Sequence, residues 1–396
     1  MGLLSNTVSL CPFDVVGDFP AAAASPTERA AWIGQQLQQF AFRSIEHSSE
    51  EQALGWVTLD DFQCSEFAGN TDWWRDEYVC FSLRRDQRRL PAALVRAELA
   101  RAQQRFLAEN PTFQRVPKER NEELKEQVRA RLLTRVLPTP AVYDVLWHLP
   151  SGRLFLCHLA ASTLDAATDL FQKTFTGLRL VLVHPLARAR QILSADLTQA
   201  LAAADQAPAD ASVVEQIERN RWLGWEFLRW LMYQTTQGSS LYAVQRPGPA
   251  AGGTAFRAWL DDRLLLAGAV QSGVQKVTVV GPQDNFDEVC SALRQDKQII
   301  EATLHFERGE QSWRLTLKAE LFQFGSFRCP AVRLERDGAV ENEQLGLFYE
   351  RLHVLAEGLQ LFDSLLLTFL QQRLGPAWPQ LCQRVEAWLH PADSAD

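Results

Sequence analysis

The chain has 396 residues, of which 46% are hydrophobic and 22% charged, and its 12 Trp and 22 Phe supply large apolar groups; this excludes wholesale disorder and suggests two or three subdomains rather than one core. The net charge of −8 argues against a protein that coats nucleic acid over its whole surface. The longest uninterrupted apolar runs, at 264–270 and 365–370, fall far below the ~18 residues of a membrane span. With no leader pattern at the start, a cytosolic location and no membrane partner are expected.

Residues 1–90 read as an N-terminal α+β part. Ser25, Pro26 and Glu28 form a capping box with Pro at the first helical position, predicting a helix to about Phe42. Strands follow at 55–59 and 78–83. Residues 91–137 read as a charged helical hairpin, with helices at 91–108 and 118–135 separated by Asn110-Pro111 and Val116-Pro117. The α+β continuation at 138–204 holds strands at 141–149 and 153–158 around a Pro150-Ser151-Gly152 turn, a helix starting at Ser162, and a strand at 180–184.

Residues 205–275 are a Trp-rich insertion. Mobile connections are expected at 201–210 and 245–254, flanking an aromatic helix around Trp222, Trp225 and Trp230. Its apolar groups lie nearly all round, which favours core packing or a subunit contact over base stacking. The C-terminal α+β part, 276–396, continues the strands at 257–270, 276–281, 299–306 and 313–319 and ends in long helices. Leu345, Phe348, Leu352, Leu355, Leu359, Phe362, Leu366 and Phe369 are spaced as a heptad seam, to be covered by another part of the chain or by a second subunit. The fold class is therefore α+β, with mixed sheets, a protruding charged hairpin and a long C-terminal helix.

Charge is distributed unevenly. Residues 84–135 carry 14 of the 40 Lys and Arg but only 7 of the 48 Asp and Glu, a local balance of +7 against −15 elsewhere. Arg84, Arg85, Arg88 and Arg89 lead into the first hairpin helix, and Arg96, Arg101 and Arg105 continue along it. Lys118, Lys125 and Arg129 share a face of the second helix, and Arg131 and Arg135 form a like-charged i,i+4 pair. Such pairs repel unless an external polyanion supplies the counter-charge. Guanidinium forks suit phosphates, and no base-reading pattern is visible. A solvated helix pair of mixed charge, with Glu122, Glu123 and Glu126, is the bland alternative.

No catalytic residue, metal ligand or cofactor site is assigned. The spacing of Gly248, Gly253 and Thr254 resembles a phosphate loop, but its Lys is missing. Glu123-Leu124-Lys125 has a nuclease-like spacing without an upstream Asp. Asp60-Asp61 and Asp261-Asp262 are adjacent pairs that diverge on a strand or sit at a turn. The His residues show no metal spacing, and the seven single Cys suit reduced, buried thiols. The expectation is a DNA-binding protein and not an enzyme. The alternatives are a protein-interaction module using the heptad and Trp-rich helices, and a metal-dependent exonuclease whose carboxylates converge from remote segments.

The ordered set of Gly55-Trp56-Val57, Arg89-Leu90-Pro91, Glu123-Leu124-Lys125-Glu126 and Leu132-Leu133-x-Arg135 resembles the RdgC family of recombination-associated proteins. The resemblance continues through Ser151-Gly152-Arg153-Leu154-Phe155-Leu156, Ala161-Ser162, Pro282-Gln283-Asp284, Lys297 ahead of Ile299-Ile300, and a final apolar helix, over about three quarters of the chain. It implies a ring-forming homodimer that surrounds double-stranded DNA without sequence preference, is associated with the nucleoid, and antagonises the RecA recombinase. Gln283 and Lys297 resemble family DNA-contact positions. Leu137 stands where the family has Phe, followed by Pro138-Thr139-Pro140; residues 205–275 are longer than in short members; and the chain is acidic.

Overall fold

The computed structural model describes residues 2–48, 50–69, 72–270, 273–281, 286–332 and 340–390. In chain order the elements are β1 (Thr7–Gly17), α1 (Pro26–Gln39), β2 (Gln52–Thr58), β3 (Trp74–Arg75), β4 (Tyr78–Gln87), α2 (Ala92–Glu109), α3 (Lys118–Leu133), β5 (Thr139–His148), β6 (Arg153–Leu156), α4 (Ala161–Thr174) and β7 (Leu178–Leu182). The chain continues through α5 (Pro185–Ile192), α6 (Ala195–Ala204), α7 (Val213–Arg219), α8 (Trp222–Gln237), β8 (Leu241–Ala243), β9 (Ala255–Val270), β10 (Gly273–Val280), α9 (Asp287–Leu293), β11 (Gln298–Arg308), β12 (Gln311–Lys318), β13 (Gln323–Arg328), α10 (Val340–Arg373) and α11 (Trp378–Leu389). The fold is α+β, in two compact units: residues 15–156 with 160–180, and residues 1–14 with 157–159 and 181–396. Where mixed sheets were expected, the ladders within each unit are antiparallel.

The first unit is built on the sheet β6-β5-β4-β2, with β3 against β4. Ser25 caps α1 as expected: its hydroxyl accepts from the Glu28 amide while the Glu28 carboxylate accepts from the Ser25 amide at 2.9 Å. The helix starting near Ser162 is present as α4, but its N-cap is Ala160, without a side-chain cap. Trp56, Phe81, Trp147, Phe171 and Phe175 form the core in mostly edge-to-face pairs, and the Trp56 indole donates to Thr174 Oγ1 at 2.8 Å. Gly55 is required here, since a Cβ would lie 2.4 Å from the Phe42 Cα where that stretch runs against β2.

The second unit carries the sheet β10-β9-β11-β12-β13-β1, with β8 also on β9. Helix α8 packs against β9 and β11 and touches α10. Phe227 of α8 meets Phe322, Phe362 and Phe369, and Trp230 packs at a tilt against Tyr242 and Phe369. The aromatic helix is thus a packing element. Gly224 lets α8 approach closely, because a Cβ would fall 2.1 Å from the Ala319 carbonyl oxygen.

Six of the eight heptad-seam positions are covered within the chain, whereas Leu359 is half-buried and Leu345 exposed. Phe348, Leu352, Leu355, Phe362, Leu366 and Phe369 are buried, and so are Leu361, Leu365, Leu367 and Leu370 on other faces. Helix α10 is therefore buried nearly all round rather than along one coiled-coil stripe. The stretch 345–373 contains an 18-residue window long and apolar enough to cross a membrane, with mean hydropathy 1.3, but 78% of that window is buried inside the protein. The 245–254 connection, expected to be mobile, is pinned to α10. Gln360 Nε2 donates to the Arg246 and Ala250 carbonyls, its Oε1 accepts from the Ala250 amide at 2.8 Å, and Ser364 Oγ accepts from the Gln245 and Arg246 amides.

His184, ahead of α5, is 3% exposed and its Nδ1 has no hydrogen-bond partner among the described residues. Burial, assisted by Arg190 and opposed by Asp205, pushes its pKa down to about 4. The folded protein keeps this imidazole neutral while the unfolded chain takes up a proton below about pH 6.5. The group's contribution is complete above that pH and is lost as pH falls toward 4, by up to about 3 kcal/mol. Urea unfolding between pH 7.5 and 4.5 is expected to show a shallower acid limb in His184→Asn than in the parent.

Candidate nucleic-acid interface

Helices α2 and α3 are present where the charged hairpin was expected, with boundaries set by proline. Pro91 and Pro117 occupy the N-cap positions of α2 and α3, where a missing amide proton costs nothing. Helix α2 has no buried residue, whereas α3 buries Leu124, Val128, Leu132 and Leu133. Gln103 Nε2 donates to Asn121 Oδ1 at 2.6 Å between the two helices. A groove of about 330 Å³ lies along the pair, lined by Arg105, Phe106, Glu109, Arg120, Gln127 and Arg131 among others.

The expected cations divide into three groups. Arg88 is not presented to a ligand: it is 1% exposed, with Nη1 donating to the Ser48 and Glu50 carbonyls and Nη2 to those of Ile45 and Glu46. It ties Ile45, Glu46, Ser48 and Glu50 to the end of β4 and is withdrawn from the interface. Arg84 is likewise engaged, forked onto Asp86 at 2.8 Å and lying over the Phe42 ring, and Arg85 donates to the Tyr143 hydroxyl at 3.1 Å.

A second group is exposed but ion-paired. Arg101 and Arg131 share Glu98 at 2.7 and 2.6 Å, Arg129 meets Glu51 at 2.6 Å, and Lys125 lies 3.5 Å from Glu122. Surface pairs of this kind contribute about 0–1 kcal/mol, so phosphate can compete for these cations. The third group comprises Arg89, Arg96, Arg105, Lys118 and Arg135, all exposed and without a carboxylate partner among the described residues. Arg115, in the turn between the helices, belongs with them and was not singled out from sequence. Lys118 opens α3, where a cation opposes the helix dipole and an added anion relieves it.

Three expectations are corrected or fall away. Helix α3 ends at Leu133, so Arg135 lies beyond it and the Arg131–Arg135 pair is not a helical i,i+4 pair. Lys297 is 5% exposed, and its ammonium donates to Gln295 Oε1 at 2.7 Å, so it is a buried group rather than a surface contact. Gln283 lies outside the described residues. Glu123 of the nuclease-like spacing pairs with Arg120. Among the described residues no group of three or more His, Cys, Asp or Glu is arranged to hold a metal ion.

A family model described as "Putative exonuclease, RdgC" matches residues 22–220, a span that contains the whole hairpin. No curated protein matches the chain.

Proposed function

The chain belongs to the RdgC family, and from that premise we propose that it binds double-stranded DNA without sequence preference, as a homodimer that encircles the duplex and restricts access of the RecA recombinase to it. The observation that carries this reading is the set of exposed cations without carboxylate partners on and beside the α2–α3 hairpin, in a chain that is acidic elsewhere. Arg forks meet phosphates in pairs of hydrogen bonds, and release of condensed counterions supplies affinity that does not depend on base order. A ring would make such binding persistent, and it would work in the cytosol on the nucleoid.

The test is ionic strength. Duplex affinity measured from about 50 to 200 mM salt is expected to fall with a log-log slope of about −4 to −9, at roughly 0.9 per neutralised phosphate. A slope near zero overturns the reading. The family description names an exonuclease, and we propose a binding role without hydrolysis instead. End-labelled duplex incubated with Mg²⁺ or Mn²⁺ is expected to keep its length; shortened products from the purified chain would reverse that assignment.

A further inference from the structure

The solvent-facing side of the β9–β11–β12–β13 sheet carries a second constellation, distinct from the hairpin. Trp259 lies opposite His305, His305 opposite Arg314, and Arg314 opposite Arg328, so one row of side chains crosses four strands. Directly opposed residues share a face, and strands lie about 4.8 Å apart, so the row spans roughly 14 Å. The other face of these strands, through Ala258, Phe306, Trp313 and Phe327, is buried in the core.

Three features of this row are unexplained by folding alone. The Trp259 and His305 rings stack with centroids 5.2 Å apart and planes 15° from parallel, at a half-buried position facing solvent. Arg314 and Arg328 are exposed and directly opposed across the β12–β13 pair, an arrangement of like charges that destabilises a sheet. Asp262 compensates Arg314 only at 3.5 Å, and no carboxylate within salt-bridge distance of Arg328 is found among the described residues.

Local backbone strain serves the same row. Asp262 takes φ 63° at a point where the β9–β11 register slips, between the Ala302–Leu264 and Thr303–Asp261 pairs. The irregularity brings its carboxylate onto the His305 ring, where Oδ2 accepts from Nε2 at 2.9 Å. The imidazole is thereby held against Trp259. Trp259 lines two clefts: one of about 380 Å³ with His305, Ser312, Arg314 and Arg328, and one of about 550 Å³ with Ser239, Ser240, Arg257 and Glu307. Glu307 also borders the first cleft.

From this juxtaposition we propose that the sheet face is a binding site for unpaired DNA strand, with a base stacked on the Trp259–His305 pair and the adjoining phosphates held by Arg314 and Arg328. An aromatic platform needs an exposed base face, which a duplex hides in its own stack, and two opposed guanidinium groups that share one carboxylate, held by Asp262 against Arg314 alone, favour an added anion. A single strand supplies both. The proposal rests on the DNA-binding reading for its class of partner but uses residues outside the hairpin.

The experiment compares binding of a labelled oligothymidylate and an abasic strand of equal length to the full chain and to Trp259→Ala, Trp259→Tyr and His305→Ala. The parent is expected to prefer the strand with bases. Trp259→Ala is expected to weaken oligothymidylate binding by about 5- to 150-fold, as for loss of one stacked base, leaving the abasic strand and the duplex unaffected and Trp259→Tyr largely competent. Equal affinity of the parent for both strands overturns the proposal, as does unchanged oligothymidylate binding in Trp259→Ala. Competition by thymidine monophosphate at the oligonucleotide's own affinity also overturns it, by showing a free-nucleotide site. Hairpin variants that lose duplex while Trp259→Ala has no effect sink this inference alone; the converse result sinks the hairpin reading alone.

Discussion

Reversing Arg105, Lys118 and Arg135 together to Glu is expected to lower duplex affinity by about three orders of magnitude at ~50 mM salt. Each phosphate contact contributes roughly 0.9 decades of affinity per decade of salt below ~1 M, or about 1.2 decades at that ionic strength. The three side chains are exposed and have no carboxylate partner among the described residues, so the whole of that contribution is available to DNA. The salt slope should become shallower by about 3 per chain, with losses equal for unrelated sequences, because phosphate contacts position without specifying. The triple reversal of Lys125, Arg129 and Arg131 is expected to cost less, since those cations must first leave Glu122, Glu51 and Glu98. Titration of a labelled duplex at several salt concentrations decides the matter. Retention of parental affinity by the first variant, with its fold intact, would remove the hairpin from the interface.

Arg88→Ala is expected to destabilise the unit of residues 15–156 and 160–180 by about 4–5 kcal/mol and to leave duplex affinity of the folded protein unchanged. Its guanidinium satisfies four backbone carbonyls in a buried site, and hydrogen bonds to a charged donor are worth about 1.5–3 kcal/mol each before the chain relaxes. Arg88→Lys should recover only part of the loss, because one ammonium cannot reproduce the planar fork. Urea denaturation gives the stability and a binding titration below the transition gives the affinity. A variant that folds like the parent but no longer binds DNA would return Arg88 to the interface.

Arg84, Arg85, Arg88 and Arg89 show why a basic run does not announce its own role. Arg84 and Arg85 lie on β4, Arg88 turns inward at its end, and Arg89 alone of the four stands exposed without a carboxylate partner among the described residues. Nothing in Arg-Arg-Asp-Gln-Arg-Arg records that the carbonyls of Ile45, Glu46, Ser48 and Glu50 will be waiting for one of them. Lys297 carries the same lesson. Its exposure was carried over by resemblance, whereas its ammonium ends beside Gln295 behind β9, where Gly268 leaves room for it.

Local chemistry was legible because it acts over a few residues. Ser25, Pro26 and Glu28 determine where α1 starts, Pro91 and Pro117 delimit the hairpin helices, and the turn around Gly152 joins β5 to β6. The apolar period of α10 identified a helix that must be covered, and the all-round apolar character of α8 identified a packed one. The strands β1 and β13 and the short helices α5, α7 and α9 carry weaker periodic signals, because partners distant in sequence stabilise them.

Only the tertiary structure decided which cations face water, which carboxylates reach them, and what covers α10. It alone set Trp259, His305, Arg314 and Arg328 in one row, since strand register across some seventy residues depends on a bulge at Asp262 and on turns far from any of the four. Composition and spacing determine where charge and apolar surface occur along the chain. Their mutual arrangement is a property of long-range packing, in which the side chains that meet are chosen by the geometry of the whole sheet and not by their neighbours in sequence.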